Sequence, residues 1–192
     1  IYFIHTALTA AQIELNALDS TLGDGDHGSA LATAFGDAVE KTQALENPTP
    51  SSVLMTTSQS LLNRMGGASG ALYGTLFLRM SASLKDSVTI NHAGWSIALS
   101  AGLAGVQSRG KAAAGDKTMV DALEPAVVAF TTAGNLESAF ANAAAAAQDG
   151  ALRTADMVAK FGRAKFVGER AVGHVDAGAR SIAIVFEAMQ HF

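Results

Sequence analysis

The chain has 192 residues, 49% hydrophobic but only 6% aromatic, a formal net charge of −4 and a pI near 5.7. That length suits a single domain over residues 1–192 with a core that needs no staple, and the absence of cysteine removes disulfides, zinc–thiolate and iron–sulfur centres and thiol nucleophiles. The acidic balance with scattered Lys and Arg leaves no basic footprint for nucleic acid, and the opening stretch IYFIHTALTAAQIELNALDS has neither the basic flank of a signal peptide nor the unbroken apolar run of a membrane span, so a cytoplasmic location is expected.

Apolar positions recur every three or four residues, and no alternating run of β-branched residues reaches strand length, so the chain reads as all-α. Its Ala-rich alphabet favours helix. The spacing predicts eight helices, over 2–17, 29–45, 51–64, 71–84, 91–108, 118–131, 136–160 and 179–192. Pro48 and Pro50 end the second and begin the third, with Ser51 or Ser52 as cap. Gly134 or Asn135 separates the sixth from the seventh, and the alanine run 143–147 reads as a close helix contact. Short joints imply antiparallel neighbours in an up-and-down bundle or closed ring. Faces of Ala, Gly and Ser fill volume poorly, so an interior cavity is expected.

Four joints concentrate glycine and charge: LDSTLGDGDHG at 18–28, GGASG at 66–70, SRGKAAAGDKT at 108–118 and GRAKFVGERAVGHVDAGA at 162–179. They follow the first, third, fifth and seventh helices. Alternate joints of an antiparallel bundle fall at one end, so the four should build a composite site on a single rim.

The first joint is the most telling. Asp19, Asp24 and Asp26 repel one another, and such a cluster is hard to place in a packed domain without a cation. Oxygen ligands suit magnesium, which is usually shared between carboxylates and substrate phosphates. The plainer alternative is a solvated turn with Asp24 as a cap. An EF-hand is excluded, since counting from Asp24 the fifth position is Gly28 and the twelfth Phe35. Backbone N–H groups at His27, Gly28, Ser29 and Ala30 open the next helix and could receive phosphate oxygens. The His27 ring is equally a candidate for a phosphate or ribose contact and for ordering the loop.

In GGASG, Ala68 and Ser69 offer N–H groups and a hydroxyl at a helix start, although paired glycines also mark ordinary helix ends. GVQSRGKA at 105–112 only imitates a P-loop, because Ala112 stands where the magnesium-binding hydroxyl belongs. Arg109, Lys111 and Lys117 are candidates for positive charge at the rim or for solvated loop cations. Thr118 and Met119 are placed to touch a base, with core packing of Met119 the alternative. Arg163 is a candidate phosphate contact. His5, His92 and His191 stand alone, and no nucleophile with base and orienter is apparent.

With RMGGASGALYGT at 64–75 and SRGKAAAGDKTMVDAL at 108–123 added to the first and last joints, the chain resembles the nucleotide-binding L subunits of bacterial dihydroxyacetone kinases and the carboxy-terminal nucleotide domains of single-chain, ATP-dependent ones. The resemblance spans nearly the whole length. It implies a ring of eight antiparallel helices with the nucleotide at one end, and two magnesium ions held by Asp19, Asp24 and Asp26. Contacts to ADP or ATP would come from His27, Gly28, Ser29, Ala30, Ala68, Ser69, Gly110, Met119, Arg163, Asp176, Ala177 and Gly178.

It also implies transfer of a phosphoryl group to dihydroxyacetone held by a partner subunit, with a phosphohistidine phosphotransferase protein and a transcriptional regulator as further partners. Ala30, Ala71 and Ala177 depart from residues usual in such proteins, the last two from prolines. The donor, phosphoprotein or free ATP, stays open, as does a regulatory module that binds nucleotide without turnover.

Overall fold

The computed structural model describes residues 1–162, 164–166 and 168–191. Among them the chain forms nine α-helices and no strand: α1 (Tyr2–Ala10), α2 (Gln12–Leu22), α3 (His27–Gln43), α4 (Pro50–Arg64), α5 (Gly67–Ser83), α6 (His92–Gly110), α7 (Val120–Thr131), α8 (Leu136–Arg153) and α9 (Ala177–Met189). Helix is the outcome that hydrophobic periodicity and an Ala-rich composition favour together. None of the described helices is long and apolar enough to cross a membrane.

The count departs from eight because the first predicted helix is two. Ala11 leaves the helical basin (φ −90°, ψ 5°), and the turn there lays both α1 and α2 on α3 and α9. Alanine is the best helix former, so packing overrides propensity at this position. The predicted helix over 136–160 ends at Arg153. A short 3-10 turn over Thr154–Asp156 follows, and the Thr154 carbonyl accepts from both the Met157 N–H and the Lys117 ammonium. Thr49, not Ser51 or Ser52, caps α4. Its hydroxyl accepts from the Ser52 N–H while the Ser52 hydroxyl accepts from the Thr49 N–H, a reciprocal capping box.

Consecutive helices from α3 to α9 are packing neighbours, and α9 also lies on α7 and α1. α9 is the most enclosed, with Ser181 through Phe186 buried in an unbroken run. Arg180, on its outer side, donates to Glu14, Gln148 and Glu187. On α8, Ala139, Ala143, Ala147 and Ala151 recur every fourth residue and are fully buried, so the alanine run is a helix-contact stripe facing its neighbours α7 and α9. The core keeps an apolar cavity of about 50 Å³ bordered by Ile4, Leu76, Trp95, Leu123, Ile182 and Phe186.

Candidate active site

All four glycine-rich joints line one cleft of about 770 Å³. Its rim carries the starts of α3, α5, α7 and α9 and the ends of α2 and α6. Of the helices that start away from the cleft, α4, α6 and α8 are capped by side chains, Thr49, Asn91 and Asn135, and α1 and α2 are not. α3 and α5 have no side-chain cap. A helix start carries unsatisfied N–H donors and partial positive charge, so the cleft gathers dipole ends that suit an anion.

Asp19 sits in the last turn of α2, and its Oδ2 accepts from the N–H groups of Gly25 (2.9 Å) and Asp26 (3.1 Å). Gly25, at φ 77°, allows the chain to turn back sharply enough for this. The result brings one carboxylate oxygen each from Asp19, Asp24 and Asp26 within 4.8 Å of one another, with Asp24 and Asp26 exposed to the cleft. An all-oxygen set open to water on one side fits magnesium, which retains waters and shares phosphate ligands.

The start of α3 divides its residues. His27 and Ala30 line the cleft, but Gly28 and Ser29 turn away onto α2. A side chain at Gly28 would run into the Gln12 carbonyl. The Ser29 N–H donates to Asn16 Oδ1, and its hydroxyl accepts from Gln12 and Asn16. The His27 ring is buried, with Nε2 2.9 Å from the Ser181 hydroxyl, which also lies 2.7 Å from the Tyr73 hydroxyl. Burial pulls His27 below its ordinary pKa, with Asp19 and Asp26 pulling the other way, and burial raises Tyr73 so that its phenol stays protonated.

α5 begins at Gly67 instead of Ala71, so Ala68 and Ser69 occupy its first turn and face the cleft. Gly67 adopts φ 64°.

The 111–121 stretch is ordered by its own acids. Asp121 accepts from the N–H groups of Gly115 and Thr118, and Asp116 accepts from Ala113 N–H and the Lys160 ammonium. Lys117 borders the cleft but is not a solvated loop cation. It is 1% exposed, and its ammonium donates to the carbonyls of Thr154 and His174. Arg109 also lines the cleft, whereas Lys111 is exposed outside it.

Gly110, Met119, Asp176, Ala177 and Gly178 also line the cleft. Met119 is buried in the core as well, as its packing reading expects. Asp176 caps α9 by accepting from the Ala179 N–H, and burial pushes its carboxyl up to about 6, against that hydrogen bond and Lys117. Arg163 lies outside the described residues. Tyr73, Ser181, Asp116 and Asp121 were not foreseen. Tyr73 and Ser181 are polar residues at buried helix positions whose partners are distant in sequence, whereas the backbone partners of Asp116 and Asp121 are local and their pairing was open to a closer reading of the GDKTMVD stretch.

The DAK2 domain profile matches residues 21–191. The ADP-binding subunit DhaL of PEP-dependent dihydroxyacetone kinase 1 from Listeria innocua is 40% identical over 175 residues, which are 91% of this chain and 84% of that protein. The triokinase/FMN cyclase of Rattus norvegicus is 38% identical over 193 residues, 97% of this chain but 33% of the relative. The solved structure of the dihydroxyacetone kinase from C. freundii with AMP-PNP and Mg2+ superposes with a TM-score of 0.79 at 30% identity, covering 98% of this chain and 32% of that one. By the extent of the profile match and by these identities, the chain belongs to the DAK2 domain family, together with the ADP-binding DhaL subunits.

Proposed function

We propose that this chain is the magnesium- and ADP/ATP-binding subunit of a phosphotransferase-linked dihydroxyacetone kinase, passing a phosphoryl group to dihydroxyacetone held by a partner subunit. The observation that carries the reading is that three carboxylates and the uncapped starts of α3 and α5 border one cleft. Asp19, Asp24 and Asp26 would hold the metal, two ions in the full complement. Magnesium bound there supplies charge neutralisation on the phosphate oxygens, where most of the catalysis of a loose phosphoryl transfer resides.

The protein's own part is positioning. Asp19 folds the loop, and the N–H groups of His27, Ala68 and Ser69 receive phosphate oxygens with the two helix dipoles behind them. Gly28 and Ser29 contribute by seating α3 on α2, so that its dipole points at the phosphates. Ala30, Gly110, Met119 and the Asp176–Gly178 turn border the nucleoside side, and Arg163 is assigned to phosphate. The described residues of the cleft hold no nucleophile with a paired base, consistent with an acceptor brought by another subunit.

The same reading takes residues 1–192 as one nucleotide-binding domain, a closed antiparallel ring in which α9 lies against α1. It places the protein in the cytoplasm, with a phosphohistidine phosphotransferase protein and a transcriptional regulator as further partners. The donor assignment follows the Listeria innocua relative, which this chain matches over most of both lengths. Direct use of ATP is a second reading, favoured by Ala30, Ala71 and Ala177, which line the cleft with nothing larger than methyl groups. Native mass spectrometry separates the two: ADP retained through dialysis marks the phosphotransferase-linked type, and empty protein marks exchange with free ATP.

Asp24→Ala tests the whole reading. With partner subunit and donor supplied, the variant should lose phosphoryl transfer while its circular dichroism stays helical. Wild-type turnover in the variant would refute it.

A further inference from the structure

Ser181 sits on α9 one turn in from the cleft and is fully buried. Its single hydroxyl makes three contacts: 2.9 Å to the Gly178 carbonyl, 2.9 Å to His27 Nε2 and 2.7 Å to the Tyr73 hydroxyl. A hydroxyl has one proton and two lone pairs. The carbonyl can only accept, so the Ser181 proton goes to Gly178. Tyr73 and His27 Nε2 must then both donate to Ser181. All three contacts are hydrogen bonds in this arrangement alone, and it fixes His27 as the tautomer protonated on Nε2.

The three residues belong to α3, α5 and α9, whose starts all border the cleft. His27 directly follows Asp26, so the junction grips the loop that carries the acidic triad. We infer that Ser181 and Tyr73 are positioning residues: acting through His27, they set the acidic loop and the α3 dipole relative to the starts of α5 and α9. A buried, fully satisfied polar junction resists displacement, because breaking one bond strands the other partners without water. A phosphate group and its cation bound across these helix starts need the spacing held to within about 0.5 Å. This inference rests on the nucleotide reading above.

The test uses the full chain in three variants: Tyr73→Phe, Ser181→Ala and Ile182→Val. The last is on the same helix but borders the apolar cavity and not the cleft. Calorimetric titration with ADP in magnesium should show affinity reduced about tenfold in Tyr73→Phe and Ser181→Ala, and unchanged in Ile182→Val. Nitrogen-15 spectra of wild type should show His27 protonated on Nε2.

Wild-type affinity in both junction variants, an equal loss in Ile182→Val, or His27 protonated on Nδ1 would each overturn the inference. Should Ser181→Ala not fold, Tyr73→Phe, which keeps the ring, and the wild-type spectrum still decide it. A wild-type chain that binds no ADP would instead refute the nucleotide reading itself.

Discussion

Asp176 shows how far a residue's surroundings can move it from its type. Its carboxyl is held near 6 in the fold against 3.8 for the free group, chiefly by burial. Lys117 and the Ala179 N–H oppose that shift, and Asp121 adds to it. Between those two values the folded state binds more protons than the unfolded one. The stability that Asp176 confers is therefore fully present below pH 3.8 and is lost as pH rises through 6. Asp176→Asn keeps a capping oxygen for α9 but cannot titrate. Chemical denaturation should then find wild type gaining on the variant by about 2 kcal/mol between pH 7 and pH 4.5; a difference that does not move with pH would contradict the burial of this charge. Residues of this kind divide by range. The aspartates of the acidic loop are legible in sequence because their partners lie within seven positions. Lys117, Tyr73 and Ser181 are not, since their partners come from distant helices and turns.

Helices show the same division between local and distant causes. Periodicity locates the α-helices except for the break at Ala11, where an excellent helix former yields to packing, and the end of α8, where the chain tightens into a 3-10 turn. The glycine-rich motifs read as loops, yet GGASG and the DAGA stretch supply the first turns of α5 and α9. Glycine is costly inside a helix but tolerated in a first turn, where backbone donors remain open. Between α7 and α8 the decisive residue is Gly150. Pro125 has no N–H to give the Asp121 carbonyl, and a side chain at Gly150 would overlap that carbonyl oxygen. Gly150→Ala should therefore push the two helices apart despite its better helix propensity, costing about 2–3 kcal/mol and lowering the melting temperature by roughly 5–10 °C. A variant as stable as wild type would show that the helices do not approach this closely.

At the scale of the molecule, one rule of connectivity does most to place the site. Joints that alternate in an antiparallel bundle share an end, and the four glycine-rich joints line one cleft although the first predicted helix is really two. α1 and α2 both lie on α3 and α9. What sequence could not convey is the division of electrostatic labour inside that cleft. Carboxylates crowd together beside the start of α3, while the starts of α3 and α5 bring positive ends without side-chain caps. Neither feature is complete alone: the triad repels a polyphosphate, and the helix starts do not neutralise it. A metal on the triad and phosphates on the helix starts should therefore bind cooperatively, each supplying the charge the other lacks. Thermal melts measure this directly. Magnesium alone or ADP with chelator should shift the midpoint little, whereas both together at about a hundred times their joint dissociation constant should stabilise the fold by about 2.7 kcal/mol, a rise of roughly 5–10 °C for a chain of this size. In Asp24→Ala the joint shift should collapse to the level of ADP alone, because the repulsion of the remaining carboxylates is then no longer exchanged for a bound cation. Additive shifts from magnesium and ADP in wild type would mean that the acidic triad and the helix starts act independently.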